Sequence, residues 1–250
     1  MVDQAAPEVT PAILAVEQSA SGRRWESREG DDRLARAISQ KYDLPDVVGR
    51  LLVARGVDID DVDGYLNPTL KDLLPNPSVL QDMDKAAARL SEAIQKGEKI
   101  AIFGDYDVDG ATSSALLTRF FSAVSTPPRI YIPDRLKEGY GPTSDAMTLL
   151  AGEGARVVVT VDCGISSFDP LTVAKEAGLE VIVVDHHVAE ATLPEAVAVI
   201  NPNRLDEDGS LGHLAAVGVA FLLVIAVNRA LRDAGWYTSR PEPKLMQWLD

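Results

Sequence analysis

Apolar and polar positions change their period near residue 99. Before it, the spacing is helical. Leu34, Ala35, Ile38 and Ser39 begin one amphipathic stretch, and Val47, Val48, Leu51, Leu52 and Val53 make a second, stopped by Gly56. Asn67-Pro68 and Pro75-Asn76-Pro77 mark a connector. Ala86, Ala87, Leu90, Ala93 and Ile94 then line one face of a helix between Asp82 and Gly97. From Lys99 onward, short β-branched runs (99–104, 129–133, 156–161, 180–184 and 196–200) alternate with helical stretches (about 111–124, 144–153, 170–177 and 215–231). Such alternation predicts βαβ units with right-handed crossovers. The expected architecture is a doubly wound, mainly parallel α/β domain over 81–250, behind a small helical region over 31–80. Residues 1–30 have no periodicity and are expected to form a mobile leader, with Ile13, Leu14 and Trp25 able to dock.

Three of these runs end in acidic groups. The first ends in Asp105-Tyr-Asp107-Val-Asp109-Gly110, the third in Asp162-Cys163-Gly164 and the fourth in Asp185-His186-His187. Open α/β sheets bind ligands outside the carboxyl ends of their strands. Carboxylates gathered there raise each other's pKa unless cations intervene. A divalent metal site, binuclear in form, is the expected resolution. The mixture of carboxylate and imidazole favours Mn²⁺, with Mg²⁺ as a substitute.

Each motif also has a plainer reading. Asp105-x-Asp107-x-Asp109-Gly110 opens like an EF-hand loop, but the twelfth position is Leu116, not Glu, and the segment follows a strand. It fits a strand-to-helix turn better. Asp107 and Asp109 point into the crevice, Gly110 permits a sharp turn, and Thr112, Ser113 and Ser114 open a helix whose amides face phosphate oxygens. A solvated acidic cap is the bland alternative. Asp162 by itself could cap a helix or be a receiver-type phosphoacceptor. The paired histidines discriminate, because consecutive His after Asp at a parallel strand end are rarely structural. His213 reads as a loop residue or cap, and Cys163 as a small buried hydrophobe.

Composition narrows the picture. The 250 residues are 46% hydrophobic and 25% charged, enough for a normal core. No apolar stretch approaches bilayer length, and Met1-Val-Asp-Gln4 lacks a basic signal-peptide start. A single cysteine excludes an internal disulfide and suits a reducing cytoplasm. The net charge of −14 argues at first against nucleic acid, although bound metals would reverse the local sign. The segment 243–250 reads as an apolar helical stretch that lacks a cap or polar tail, so the chain is expected to be a fragment cut inside a domain.

Taken together, Asp105-Tyr-Asp-Val-Asp-Gly-Ala-Thr-Ser113, Asp162-Cys-Gly-Ile165 and Asp185-His-His187 resemble motifs I to III of the DHH phosphoesterase superfamily. Supporting stretches are Ile132-Pro-Asp-Arg-Leu-Lys-Glu-Gly-Tyr-Gly141, Ile200-Asn-Pro-Asn203 and Leu214-Ala-Ala-Val-Gly-Val-Ala-Phe221. With the helical lead-in, they are similar to the superfamily's bacterial single-stranded-DNA-specific 5′→3′ exonucleases. The resemblance implies a two-metal exonuclease (Mn²⁺ or Mg²⁺) that cuts single-stranded DNA to mononucleotides in repair and recombination. It is expected to work with single-strand-binding protein and a helicase, away from membranes. By the same resemblance, Asp107 holds one metal, Asp109 and His186 the other, and Asp162 bridges them. His187 contacts the scissile phosphate, and Arg135 with the Glu138–Gly141 loop, including Tyr140, approaches the DNA. Some relatives carry a His ligand where this chain has Phe103, and Asp105 is expected to compensate, directly or through water. A further family Asp ligand is expected past residue 250, which implies weak activity or none for 1–250 alone. Kept beside this reading are a phosphodiesterase for short oligonucleotides or cyclic dinucleotides, and a non-catalytic replication scaffold.

Overall fold

The computed structural model describes residues 12–26 and 30–249. They fall into two compact units, Met1–Leu74 and Pro75–Asp250.

The first unit holds α1 (Asp32–Tyr42), α2 (Asp46–Ala54), α3 (Val62–Leu66) and α4 (Leu70–Leu73). Asp31 caps α1 by accepting the amides of Arg33 and Leu34. Ile38, Leu52, Val57 and Val62 form a small core. Much of the expected leader lies outside the described residues. Within 12–26 the chain closes on itself, with Ile13 N–H donating to Trp25 O (2.9 Å) and Trp25 N–H to Val16 O (3.1 Å).

The second unit runs α5 (Met83–Lys96), β1 (Ile100–Gly104), α6 (Val108–Ala123), β2 (Arg129–Tyr131), α7 (Ser144–Gly152), β3 (Val157–Val161), α8 (Phe168–Glu176), β4 (Glu180–Val184), β5 (Ala198–Ile200) and α9 (Ala216–Asp233). Its five strands are all parallel, in the order β2-β1-β3-β4-β5. Side chains alternate across the sheet as the two-residue period of a strand requires. Ile100 and Ile102 of β1, with Val157 and Val159 of β3, face a core shared with α5, α6 and α9. Ala101 and Phe103, with Val158, face α7 and α8. β1, β3, β4 and β5 are therefore buried on both faces, which explains why their runs are apolar, whereas the edge strand β2 is only partly buried. The doubly wound expectation matches this sheet. The chain leaves β1 toward β2 and returns on the other side at β3, so the switch point lies between β1 and β3.

Two details differ from the expected elements. α6 begins at Val108, not near 111, because Asp107 caps it through the amides of Asp109 (2.9 Å) and Gly110 (3.0 Å). Residues 245–248 form a 3₁₀ turn, whereas an α-helical segment was expected over 243–250, and Asp250 lies outside the described residues. Among the described residues, no helix is long and apolar enough to cross a membrane, although α9 is buried along most of its length.

Candidate metal centre

The acidic strand ends meet. Asp105, Asp107 and Asp162 can each place one oxygen within 4.8 Å of the others. Asp162, His186 and His187 satisfy the same limit with carboxylate and imidazole atoms. Asp162 belongs to both groups, at the carboxyl end of β3 beside the switch point.

Local backbone explains these placements. Asp162 N–H donates to Val184 O (3.0 Å), extending the ladder, and the residue then turns left-handed at φ 61°. Among non-glycine residues, Asp is one of the few that tolerate this region. The Tyr140 hydroxyl donates to the Asp162 carbonyl oxygen (2.8 Å), which holds that turn. Asp185, fully buried, organises the histidines. Its Oδ1 accepts the amides of His186 (2.7 Å) and His187 (3.2 Å) and meets His187 Nδ1 at 2.7 Å, while Oδ2 accepts the Ile165 amide (3.1 Å). His186 Nε2 lies 3.2 Å from Asp162 Oδ1 and 3.5 Å from Asp109 Oδ2.

Gly110 serves a purpose other than the one expected. It sits in the first turn of α6, and a Cβ there would come within 2.7 Å of the Asp105 backbone. Its bare Cα lets the helix pack against the end of β1.

Electrostatics reflect crowding. Burial, followed by the carboxylates of Asp109 and Asp107, pushes Asp162 up to about 7. Burial also raises Asp105. The Gly110 amide holds Asp107 below the usual carboxylate range. Burial opposes charge on His187, but the Asp185 hydrogen bond and the Asp185, Asp162 and Asp105 carboxylates outweigh it and raise its pKa. Buried Oδ1 atoms of Asp105 and Asp162 make no hydrogen bond among the described residues, the His186 Nε2 contact to Asp162 Oδ1 being an ion-pair approach only. Such atoms are costly unless something else satisfies them. Hard oxygen donors with one or two imidazoles fit a small divalent cation. The residues present therefore fit a metal pair.

The other expected site residues fall differently. Asp109 reaches the crevice only at its edge. Its two oxygens accept the amides of Ala216 (2.8 Å) and Val217 (2.9 Å), capping α9. The expectation that Thr112, Ser113 and Ser114 turn amides toward phosphate is corrected, because α6 starts earlier and places them inside the helix. Ser113 is wholly buried, and the Thr112 hydroxyl donates to Val108 O (2.7 Å), so only Thr112 stays accessible. Arg135 is exposed on the rim, its guanidinium 4.9 Å from the Tyr106 ring centre. Tyr140 spends its hydroxyl on Asp162 and leaves half its surface exposed. Phe103 lies in the core, stacked on Tyr131 at 5.3 Å, away from the crevice. His213 is an exposed turn residue, and Cys163 is buried with its thiol toward Val161 O (3.4 Å). Sequence reasoning overlooked Asp185 as an orienting group. Its place between an apolar strand and two histidines was the available signal.

Residues 99–246 match the DHH family, N-terminal domain, and since that match covers over half the chain, the chain belongs to the DHH family. Among individual proteins, it is 40% identical over 231 residues to the single-stranded-DNA-specific exonuclease RecJ of Salmonella typhimurium, covering 91% of this chain and 39% of that one. It is 36% identical over 214 residues to RecJ of Bacillus subtilis, covering 86% of this chain and 27% of the relative. Its fold superposes on the crystal structure of RecJ in complex with Mn²⁺ from Thermus thermophilus with a TM-score of 0.64 and 29% identity, covering 84% of this chain and 28% of that chain. The chain thus spans about a quarter to two fifths of the length of these curated relatives.

Proposed function

We propose that this protein supplies the metal site of an exonuclease that hydrolyses single-stranded DNA. The observation that carries the proposal is the pair of ligand clusters sharing Asp162. The names of its relatives support the substrate. Asp105, Asp107 and Asp162 would hold one Mn²⁺ or Mg²⁺, and Asp162 with His186 the other, Asp109 lying at its edge. Held there, two such cations would lower the pKa of a bound water and offset charge on the attacking and leaving oxygens of an in-line displacement.

The chain's own groups do the rest. Asp185 fixes the His187 ring through Nδ1 and leaves the other ring nitrogen facing outward, where the protonated imidazole donates toward a phosphate oxygen as negative charge grows there. Burial opposes that proton, but the Asp185 hydrogen bond and the Asp185, Asp162 and Asp105 carboxylates outweigh it and favour the protonated ring. Tyr140 anchors the Asp162 turn, and its exposed ring face offers a stacking surface to a base. Arg135 draws the phosphate backbone to the rim. Thr112 remains a contact on α6. Attack from the 5′ end, release of mononucleotides, a role in repair and recombination, single-strand-binding protein and a helicase as partners, and a cytoplasmic location complete the proposal on family resemblance.

The test uses 5′-labelled and 3′-labelled oligonucleotides with manganese. Labelled mononucleotide is expected first from the 5′-labelled single strand, however slow the rate of residues 1–250 by themselves. Duplex should be spared and Asp162→Ala inert. Faster cleavage of dinucleotides than of long strands would move the substrate to short oligonucleotides. Failure of calorimetry to detect manganese binding would defeat the metal-site reading.

A further inference from the structure

The strap after β5 carries side chains that the proposed chemistry leaves unused. Asn201 is fully buried and follows the last residue of β5. Its Nδ2 donates to the His187 carbonyl oxygen (2.9 Å), and its Oδ1 accepts the Asn203 amide (2.8 Å). These two bonds fix the amide's orientation, because the flipped form would set oxygen against oxygen and N–H against N–H. Asn203 Nδ2 donates in turn to the His186 carbonyl oxygen (2.5 Å). The Asn203 carbonyl accepts the Ala189 amide (3.5 Å). The strap is anchored beyond by Arg204, whose Nη1 donates to Val199 O (2.6 Å) and Asp82 Oδ2 (3.1 Å). Asp82 Oδ2 also accepts the Val199 amide (3.0 Å), which ties the end of the strap to the start of α5.

Asp185 takes both amides of the histidine pair, and Asn201 and Asn203 take both carbonyls. Every polar backbone group of these two residues therefore ends on a side chain and none on a sheet ladder. Ring direction at such a site follows from the peptide planes that carry the rings. We propose that Asn201 and Asn203 are positioning residues that aim the His186 and His187 imidazoles, an inference that rests on the metal-site reading above. Neither asparagine touches the reacting atoms. Pro202, buried between them, fixes the backbone so that the two amides face the same loop.

The metal-free protein gives a direct readout, because it contains only three histidines. Imidazole ¹⁵N spectra are assigned with single His→Gln variants. Asn203→Ala, at the less buried position, and Asn201→Ala are expected to shift or broaden the His186 and His187 signals. The control is Asn228→Ala, a buried asparagine of α9 bonded to Glu242 and Tyr237. It should leave both signals as in the wild type. Manganese affinity, measured by calorimetry, should fall by about 10–100-fold in the strap variants and stay near wild type in the control, as expected when an outer partner of a ligand is lost. Should Asn201→Ala fail to fold, Asn203→Ala decides. Wild-type positions of both signals in Asn203→Ala, or equal shifts in Asn228→Ala, would overturn the positioning role. Absence of manganese binding in the wild type would strike the metal-site reading, while the metal-free spectra still judge the strap.

Discussion

Asp162 works against the fold that holds it. It is buried, its backbone is left-handed, and its pKa is pushed up to about 7 by burial and two neighbouring carboxylates. Between about pH 4 and pH 7 the folded protein keeps a proton that the unfolded chain has released, so stability falls as pH rises through that window. Asp105, also raised by burial, adds a contribution of the same sign. The metal-free thermal midpoint is therefore expected to drop from pH 5 to pH 8. Asp162→Asn should reduce that drop and stabilise the metal-free protein at pH 8 by about 2 kcal/mol, at roughly 1.36 kcal/mol per pKa unit and less where water screens. The same variant should lose the stabilisation that manganese gives the wild type. Scanning calorimetry with chelator and with manganese checks both, and a less stable metal-free Asp162→Asn would refute the account. At this scale the sequence disclosed which residue types stand at the strand ends. It did not disclose that Ser113 is buried or that the Tyr140 hydroxyl is already engaged, because burial and partner choice depend on residues distant in the chain.

Helix α9 illustrates the element scale. Its N-cap residue is Ala215, which has no side chain able to bond the free amides, and Asp109 from the first turn of α6 takes that role. A carboxylate at a helix N-terminus satisfies open donors and favours the helix dipole. Asp109→Ala is expected to destabilise the metal-free protein by about 1–2 kcal/mol, the range for a lost cap. Thermal unfolding of the two variants side by side should thus show opposite signs for two aspartates of one crevice. An Asp109→Ala protein as stable as wild type would remove the capping role. The strands and most helices were legible because the apolar period is local. α6 starts three residues before the expected position because Asp107, read first as a ligand with an acidic cap kept only as the plainer alternative, is also its N-cap. The cap of α9 was illegible, since its donor and acceptor lie more than a hundred residues apart.

For the molecule as a whole, the net charge of −14 opposes a polyanionic partner, and the crevice concentrates that charge further. On the proposed reading, cations in the crevice, with Arg135 on the rim, would turn this face toward phosphate. Binding of a phosphorothioate single strand that resists hydrolysis is expected to be roughly tenfold weaker or worse in chelator than with manganese. Fluorescence anisotropy measures this, and equal affinity in the two conditions would place the DNA elsewhere on the protein. The sequence by itself determined the alternation of strands and helices, the parallel doubly wound sheet, the acidic and imidazole chemistry at its edge and the family. The alternation, the sheet and the edge chemistry follow from short-range periodicity and from the rule that ligands bind outside the carboxyl ends of the strands, and the family follows from the resemblance of three motifs. Tertiary structure alone decided which carboxylates approach one another, that Asp162 is shared between two clusters, that Asp109 faces a helix end as well as His186, and that two asparagines hold the histidine backbone. The reason is physical: distance and desolvation are properties of packed neighbours, and a linear pattern names the groups without stating which of them share the same few ångströms.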